Sequence, residues 1–130
     1  MKYEIRAMLR QGKGSIVNIS SSYGTLGGPT AALYVGSKHA VEGITKSAAI
    51  ELAGTGVRVN IVDPGPTETG MFNRFARTPE NKANFLATHI PTKRVGTPEE
   101  IANAIVFIGS DKASYIIGAS LAVDGGMLAG

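Results

Sequence analysis

Tyr34 and Lys38 are the residues whose types and spacing most directly suggest chemistry. A separation of four residues places the two side chains one turn apart on the same face of a helix. A free tyrosine has a pKa of about 10, and a fixed lysine charge beside the phenol lowers that pKa. We therefore expect Tyr34 to exchange a proton with an alcohol or a carbonyl. Taken alone, such a pair is more often structural.

A serine follows the first stretch that has the pattern of a strand. Residues 15–20 are short, β-branched and apolar on both faces, which is typical of a strand covered from both sides. Strand alternation predicts that Ser21 points away from both Ser20 and Ser22. We expect Ser20 and Ser22 to cap or satisfy local backbone.

Pro64 and Gly65 follow the second strand-like stretch, residues 57–62. Open parallel sheets bind ligands at the carboxyl ends of their strands, and a residue without a side chain lets a flat ring approach the backbone. The alternative is an ordinary turn that ends the strand. Asp63 is expected to form part of that turn, where the chain cannot continue pairing.

The rest of the chain supplies the elements that position these residues. Its polar segment 67–97 predicts short helices in an extended loop of the kind that covers ligands. The order of strands and helices predicts an α/β fold, a three-layer Rossmann-like parallel sheet with flanking helices. Helices are predicted at 2–11, 29–53 and 98–108, the last with an N-cap at Thr97, and strands at 15–20, 57–62 and 120–123.

Several short motifs together resemble the short-chain dehydrogenase/reductase family in order and spacing. The motifs are Asn-Ile-Ser-Ser ending at Ser21, Tyr34-x-x-x-Lys38, Val-Asn at 59–60, Pro64-Gly65, residues 94–102 and Val-Asp-Gly-Gly at 123–126. The resemblance implies an oxidoreductase that uses NAD or NADP and transfers a hydride between the nicotinamide and an alcohol or ketone substrate. It covers nearly the whole chain but only the C-terminal half of the family's domain.

The resemblance also assigns roles to individual residues. It implies that Ser21 polarises the substrate oxygen, that Tyr34 is the acid and base, and that Lys38 holds the nicotinamide ribose while tuning the tyrosine. Thr69 would lie near the carboxamide or the phosphate. Thr67 departs from the family, which usually has Ile or Val there, but its backbone contact remains possible. The implied cofactor-binding residues are Tyr34, Lys38, Pro64, Gly65, Thr67 and Thr69.

Residues 1–130 lack the Gly-rich phosphate loop and the ribose-selecting residue of a complete dinucleotide fold. We therefore expect a single partial domain over 1–130, the C-terminal, catalytic half of a Rossmann domain. The alternative is a truncated remnant without activity that only packs against a partner chain. The family resemblance implies a homo-oligomer. The substrate and the choice between NAD and NADP stay open.

Composition excludes several other classes. The chain has 43% hydrophobic and 18% charged residues, which is typical of a globular protein, and no run of membrane-spanning length. Its net charge is +3, but the basic residues are scattered, so we expect no nucleic-acid partner. His39 and His89 have no second ligand at metal spacing, so we expect no metal site. The absence of cysteine suits a reducing cytoplasm.

Overall fold

The computed structural model describes all 130 residues. Its three strands form one parallel sheet in the order β1-β2-β3, with helices packed against it, so the predicted α/β architecture is confirmed. The elements are α1 (Lys2–Gln11), β1 (Gly14–Ile19), α2 (Ala32–Leu52), β2 (Val57–Pro64), α3 (Gly70–Ala76), α4 (Pro79–His89), α5 (Pro98–Gly109) and β3 (Ser120–Val123), with 3-10 turns at Ser22–Gly24 and Asp111–Ala113.

Central strand β2 is buried on both faces, as its apolar sequence predicts. Successive side chains of a strand point to opposite faces, so alternate residues share a layer. Val57 and Val59 are at most 1% exposed and pack with Ala48, Ala49 and Leu52 of α2. Helix α1 adds partly buried side chains to the same cluster. Helices α1 and α2 therefore cover one face of the sheet.

Arg58 lies on the other face of β2 and joins it to the end of α5. Its guanidinium group is buried and donates hydrogen bonds to four backbone carbonyls, without a carboxylate partner. Carbonyls at the end of a helix lack partners within the helix and carry partial negative charge, so the cation both satisfies and neutralises them. The acceptors are the carbonyl oxygens of Ile108, Gly109, Ser110 and Ile116.

Strand β2 extends two residues further than the sequence predicted. Asp63 pairs with Ala122 and Pro64 with Val123, and the N–H of Gly65 donates to the Val123 carbonyl at 3.0 Å. The prediction that pairing stops at residue 62 was therefore wrong. Because Pro64 is the last residue of the strand, its missing N–H interrupts no further ladder. Asp63 is a buried strand residue and not a turn former.

Helix α2 begins at Ala32, so the predicted start at Pro29 was wrong. The chain first makes a turn in which the Ala31 N–H donates to the Gly28 carbonyl. Thr30 has a φ of 63°, in the left-handed region, which is incompatible with a helix that runs on from the proline. The local backbone turn therefore overrode the preference of proline for a first helical turn.

The remaining elements agree with the sequence to within a residue or two. The segment 67–97 contains helices α3 and α4, and α5 begins with a capping box between Thr97 and Glu100. Asp124 forms the predicted turn, since its carboxylate accepts from the N–H groups of Gly126 and Leu128. No helix combines the length and the hydropathy needed to cross a membrane.

Candidate active site

A cleft of about 700 Å³ opens beside the carboxyl ends of β1 and β2. Its volume is within the usual range for small-molecule sites. All the residues proposed from the sequence line this one cleft, although they come from three separate segments of the chain. They are Ser21, Tyr34, Lys38, Pro64, Gly65, Thr67 and Thr69. The parallel sheet brings them together because parallel strands end at the same edge.

The three serines after β1 have different surroundings. Ser20 and Ser22 are buried, whereas Ser21 is half-buried in extended backbone at the cleft wall. The Ser21 hydroxyl accepts a hydrogen bond from the Tyr23 N–H at 3.2 Å. The hydroxyls of Ser20 and Ser22 donate to the carbonyls of Lys38 and Pro64. Both hydroxyls therefore satisfy backbone carbonyls, as expected. The carbonyls belong to distant elements and not to the local chain.

Tyr34 and Lys38 lie one turn apart on α2, as their spacing predicts. The Lys38 Nζ atom is 5.7 Å from the centroid of the Tyr34 ring and donates to the Ile19 carbonyl at 3.0 Å. That hydrogen bond fixes the ammonium group at the end of β1. The Tyr34 side chain keeps 40% of its surface exposed toward the cleft.

Tyr23 is a second phenol beside Tyr34. The two rings meet edge to face, with centroids 6.3 Å apart. Burial raises the pKa of Tyr23, and the nearby Tyr34 adds to the rise because two phenolates repel. Tyr23 therefore stays neutral and packs against the candidate acid/base as an apolar support.

Lys38 is suited to hold a ligand with neighbouring hydroxyl groups. An ammonium group has three N–H donors, and only one is used within the chain, by the Ile19 carbonyl. The other two remain for a ligand in the cleft. A sugar ring with two adjacent hydroxyls, such as the ribose of a nicotinamide nucleotide, has the complementary acceptors.

Gly65 is required by packing. A Cβ atom at Gly65 would lie 2.6 Å from the Cα atom of Asp124, in the turn that follows β3. A ligand that approaches the backbone was expected to require glycine here, but the backbone of the neighbouring turn already requires it. Any close approach of a flat ring to Gly65 is an additional use of this position.

The two threonines after Gly65 shape the turn that leads from β2 into α3. The Thr67 hydroxyl donates to the Gly65 carbonyl at 3.0 Å. Thr69 is the N-cap of α3, because its hydroxyl oxygen accepts from the Phe72 N–H, and it also donates to the Thr67 carbonyl. Both side chains thus hold the backbone that lines the cleft.

The far wall of the cleft is apolar, which the sequence reasoning did not anticipate. Met71, Phe72 and Phe75 of α3 line it, together with Phe85 of α4. Phe72, Phe75 and Phe85 pack on one another with centroids 5.6 to 6.1 Å apart. The spacing Met-Phe-x-x-Phe at 71–75 was the available signal, since it puts apolar side chains on one side of a short helix.

Two buried carboxyl groups beneath the cleft were also missed. Glu42 of α2 is 6% exposed and Asp63 of β2 is 2% exposed, and each has one buried carboxyl oxygen, Glu42 Oε1 and Asp63 Oδ1, without a hydrogen-bond partner. Burial, then the hydrogen bond and the charge of Glu42, raise the pKa of Asp63 to about 7. No sequence signal marked this pair, because Glu42 and Asp63 meet only when α2 packs on β2.

Glu42 shifts in the opposite direction. Burial by itself would raise its pKa, but hydrogen bonds from surrounding groups outweigh that effect and lower it. The Ser120 hydroxyl donates to Glu42 at 2.5 Å, and the Lys46 ammonium lies 3.2 Å away. Asp63 and Ser20 also contribute to the lowering of the Glu42 pKa. Glu42 is therefore the ionised member of the pair and Asp63 the protonated one.

No cluster of three or more His, Cys, Asp or Glu side chains is arranged to hold a metal ion. His39 and His89 are exposed, and each ring lies within hydrogen-bond distance of a carbonyl of its own helix.

The family model described as enoyl-(acyl carrier protein) reductase matches residues 1–128. The chain belongs to the short-chain dehydrogenase/reductase family. This confirms the resemblance found in the sequence motifs.

Individual relatives give the same result. The chain is 45% identical to 2-(S)-hydroxypropyl-CoM dehydrogenase 3 of Xanthobacter autotrophicus, covering 98% of the chain and 51% of that protein. It is 44% identical to the 3-oxoacyl-[acyl-carrier-protein] reductase FabG of Thermotoga maritima, over 93% of the chain and 48% of that protein. The chain thus spans about half the length of the curated relatives that it matches.

Solved structures agree on the fold. A gluconate 5-dehydrogenase from Burkholderia cenocepacia, in complex with NADP and tartrate, superposes with a TM-score of 0.90 at 32% identity. The superposition covers 97% of this chain and 49% of that one. The three-stranded sheet and its helices therefore correspond to half of a Rossmann-like fold, as the motif order predicted.

Proposed function

We propose that this chain is the catalytic part of an NAD- or NADP-dependent oxidoreductase that acts on a small alcohol or carbonyl compound. The observation that carries the proposal is the convergence of Ser21, Tyr34 and Lys38 on one cleft beside Pro64 and Gly65. The sequence motifs identified this same set, and family membership supports it. A single partial domain over 1–130 is part of the same proposal.

Residues of this chain carry out the proton transfer. In our proposal Tyr34 accepts the hydroxyl proton during oxidation of an alcohol and donates it during reduction of a carbonyl. Ser21 donates a hydrogen bond to the substrate oxygen and so polarises it. Lys38, whose ammonium group is fixed by the Ile19 carbonyl, lies beside Tyr34, with its Nζ atom 5.7 Å from the centroid of the ring.

The nicotinamide cofactor fits the residues present. The two unused donors of Lys38 suit the ribose hydroxyls, and backbone at Pro64, Gly65 and Thr67 lines the adjoining wall of the cleft. Thr69 would contact the carboxamide or the phosphate. When bound, the nicotinamide supplies or accepts the hydride.

The cleft wall also indicates the kind of substrate. Lys38 is the only charged side chain that lines the cleft, and the opposite wall is formed by Met71 and the aromatic rings of Phe72, Phe75 and Phe85. Because unpaired polar groups are costly against apolar walls, we propose that the part of the substrate away from the reacting oxygen is apolar. Sugar acids would leave their hydroxyls and carboxylate without partners there.

We further propose a homo-oligomer located in the cytoplasm. Large apolar side chains remain exposed on α2 and α5, and the family resemblance implies oligomer contacts on these helices. The absence of cysteine suits a reducing compartment. The exposed side chains are Leu33, Ile44, Ile50, Val106 and Phe107.

The test of the catalytic proposal is Tyr34→Phe in the oxidoreductase that contains this chain. Loss of general acid/base help should lower kcat by about 10²- to 10⁴-fold. Tyr115→Phe is the matched control, since Tyr115 is 99% exposed and lies outside the cleft, and it should leave kcat unchanged. Turnover of Tyr34→Phe close to that of the unsubstituted protein would refute the role.

A second outcome would favour the non-catalytic alternative. The exposed apolar side chains on α2 and α5 also suit a chain that acts only by packing against a partner. Titration with NAD and NADP discriminates between the two. Absence of cofactor binding and activity, with retained binding to a partner chain, would favour the remnant.

A further inference from the structure

Glu42 and Asp63 form a buried carboxyl pair that the proposed mechanism does not use. They connect the two elements on which the site is built. Glu42 follows Lys38 by four residues on α2, so both lie on the same side of that helix, one turn apart. Asp63 directly precedes Pro64 and Gly65 at the end of β2.

Each carboxyl group of the pair has one oxygen without a hydrogen-bond donor unless a proton lies between the two groups. Glu42 Oε1 and Asp63 Oδ1 are both buried, and neither has a hydrogen-bond donor when both groups are written as carboxylates. Two buried negative charges in contact are strongly unfavourable. A single proton shared by the two carboxyl groups removes one charge and gives both orphaned oxygens a partner.

The surrounding groups come from every element packed against the pair. Lys46 of α2 is the only cation in contact, 3.2 Å from Glu42. The Ser120 hydroxyl donates to Glu42 from β3, and Ser20 reaches both carboxyl groups from the segment after β1. One positive charge balances one carboxylate, so the proton on the second carboxyl group completes the neutral cluster.

Ser20 links the pair directly to the site. Its hydroxyl donates to the backbone carbonyl of Lys38 at 3.3 Å, and the same side chain lowers the pKa of both carboxyl groups of the pair. Gly24 leaves room for this arrangement, since a Cβ atom there would collide with the Ser20 hydroxyl and lie 3.2 Å from Glu42 Cγ. A change in the pair therefore acts on the backbone that bears Lys38.

We propose that Glu42 and Asp63 share one proton and act as positioning residues that fix the helix bearing Tyr34 and Lys38 against the strand end bearing Gly65. The importance for catalysis of holding this helix against this strand end rests on the proposed function. The sharing of the proton and its effect on the local backbone do not.

The experiment is an NMR pH titration of the chain with 13C-labelled Asp and Glu carboxyl groups and 15N-labelled backbone, from pH 4 to 9. In the unsubstituted chain, one carboxyl group of the pair should titrate near neutral pH. The amide resonances of Lys38 and Gly65 should move with the same midpoint. A role confined to stability would leave the Lys38 amide unmoved, and that result would overturn the positioning role.

The variant Glu42→Gln tests whether the two carboxyl groups share a proton. It removes the neighbouring charge and supplies an amide N–H to Asp63, so the Asp63 midpoint should fall by at least about one pH unit. An unchanged midpoint would mean that burial acts alone and would overturn the shared proton. Asp63→Asn should abolish the neutral titration and make the Lys38 and Gly65 amides independent of pH. Glu51→Gln, the same change at an exposed position of α2, is the matched control and should behave like the unsubstituted chain.

These outcomes separate the two proposals. The titration needs neither cofactor nor substrate, and Tyr34→Phe should leave it unchanged. Failure of the pair would therefore leave the role of Tyr34 standing, and failure of the Tyr34 experiment would leave the titration intact. The unsubstituted chain alone already tests the positioning role if a variant does not fold.

Discussion

Replacement of Asp63 by asparagine should change how the stability of the chain depends on pH. The pKa of Asp63 rises from an ordinary value of 3.8 to about 7 on folding. Between those values the folded state retains a proton that the unfolded state has lost. The contribution of this proton to the free energy of unfolding is therefore fully present below pH 3.8 and is lost as the pH rises through 7. An asparagine side chain carries no such proton, so this dependence disappears in the variant.

The magnitude follows from the pKa difference. Each pH unit in this window costs about 1.4 kcal/mol, so the full effect is about 4 kcal/mol, of which about 3 kcal/mol falls between pH 5 and pH 8. Glu42 has the opposite sign, because its pKa is lowered on folding. Its contribution is present above its unfolded value of 4.5 and is lost as the pH falls below that, so it is nearly constant in the measured interval.

The assay is urea unfolding followed by circular dichroism at pH 5 and pH 8, at constant ionic strength. The unsubstituted chain should lose about 3 kcal/mol more than Asp63→Asn between the two pH values. His39 and His89 are present in both proteins, so their contribution cancels. Asp111→Asn makes the same chemical change at an exposed position and should follow the unsubstituted chain. Equal pH dependence in Asp63→Asn and the unsubstituted chain would refute the assignment.

Two further substitutions test the packing that holds the site. Arg58→Met keeps an apolar stem but leaves the carbonyls at the end of α5 without a donor, so it should lower the free energy of unfolding by about 2–4 kcal/mol in urea titrations. A loss below about 0.5 kcal/mol, the range of ordinary surface substitutions, would show that the guanidinium group is dispensable. Gly65→Ala should destabilise by about 1–3 kcal/mol in thermal unfolding, because its Cβ would collide with Asp124. Gly36→Ala is its control, since nothing lies within 4 Å of a Cβ there, and a stability gain of up to about 1 kcal/mol is expected. Equal effects of the two alanine substitutions would contradict the packing explanation for Gly65.

The sequence by itself determined the main strands and helices and the polar side of the cleft, but not its apolar wall. The four-residue spacing of Tyr34 and Lys38 is a local helical property, and Thr97 with Glu100 forms a cap from local geometry alone. The alternation of two-sided apolar strands with helices was sufficient for a parallel sheet. Parallel strands end at one edge, so Ser21 and Pro64 could be placed together without coordinates. Their catalytic roles remain predictions.

Only the tertiary structure decided where local preferences were overruled and which distant groups share a proton. Pro29 prefers a first helical turn, yet the turn around Thr30 delays α2 until Ala32. Asp63 is typical of turns in sequence, yet pairing with β3 draws it into the sheet and packing against α2 places it beside Glu42. Burial and like-charge contact are properties of three-dimensional neighbours. A sequence pattern records only the chemistry of each residue and its spacing, so it carries no information on which buried carboxyl group will face another.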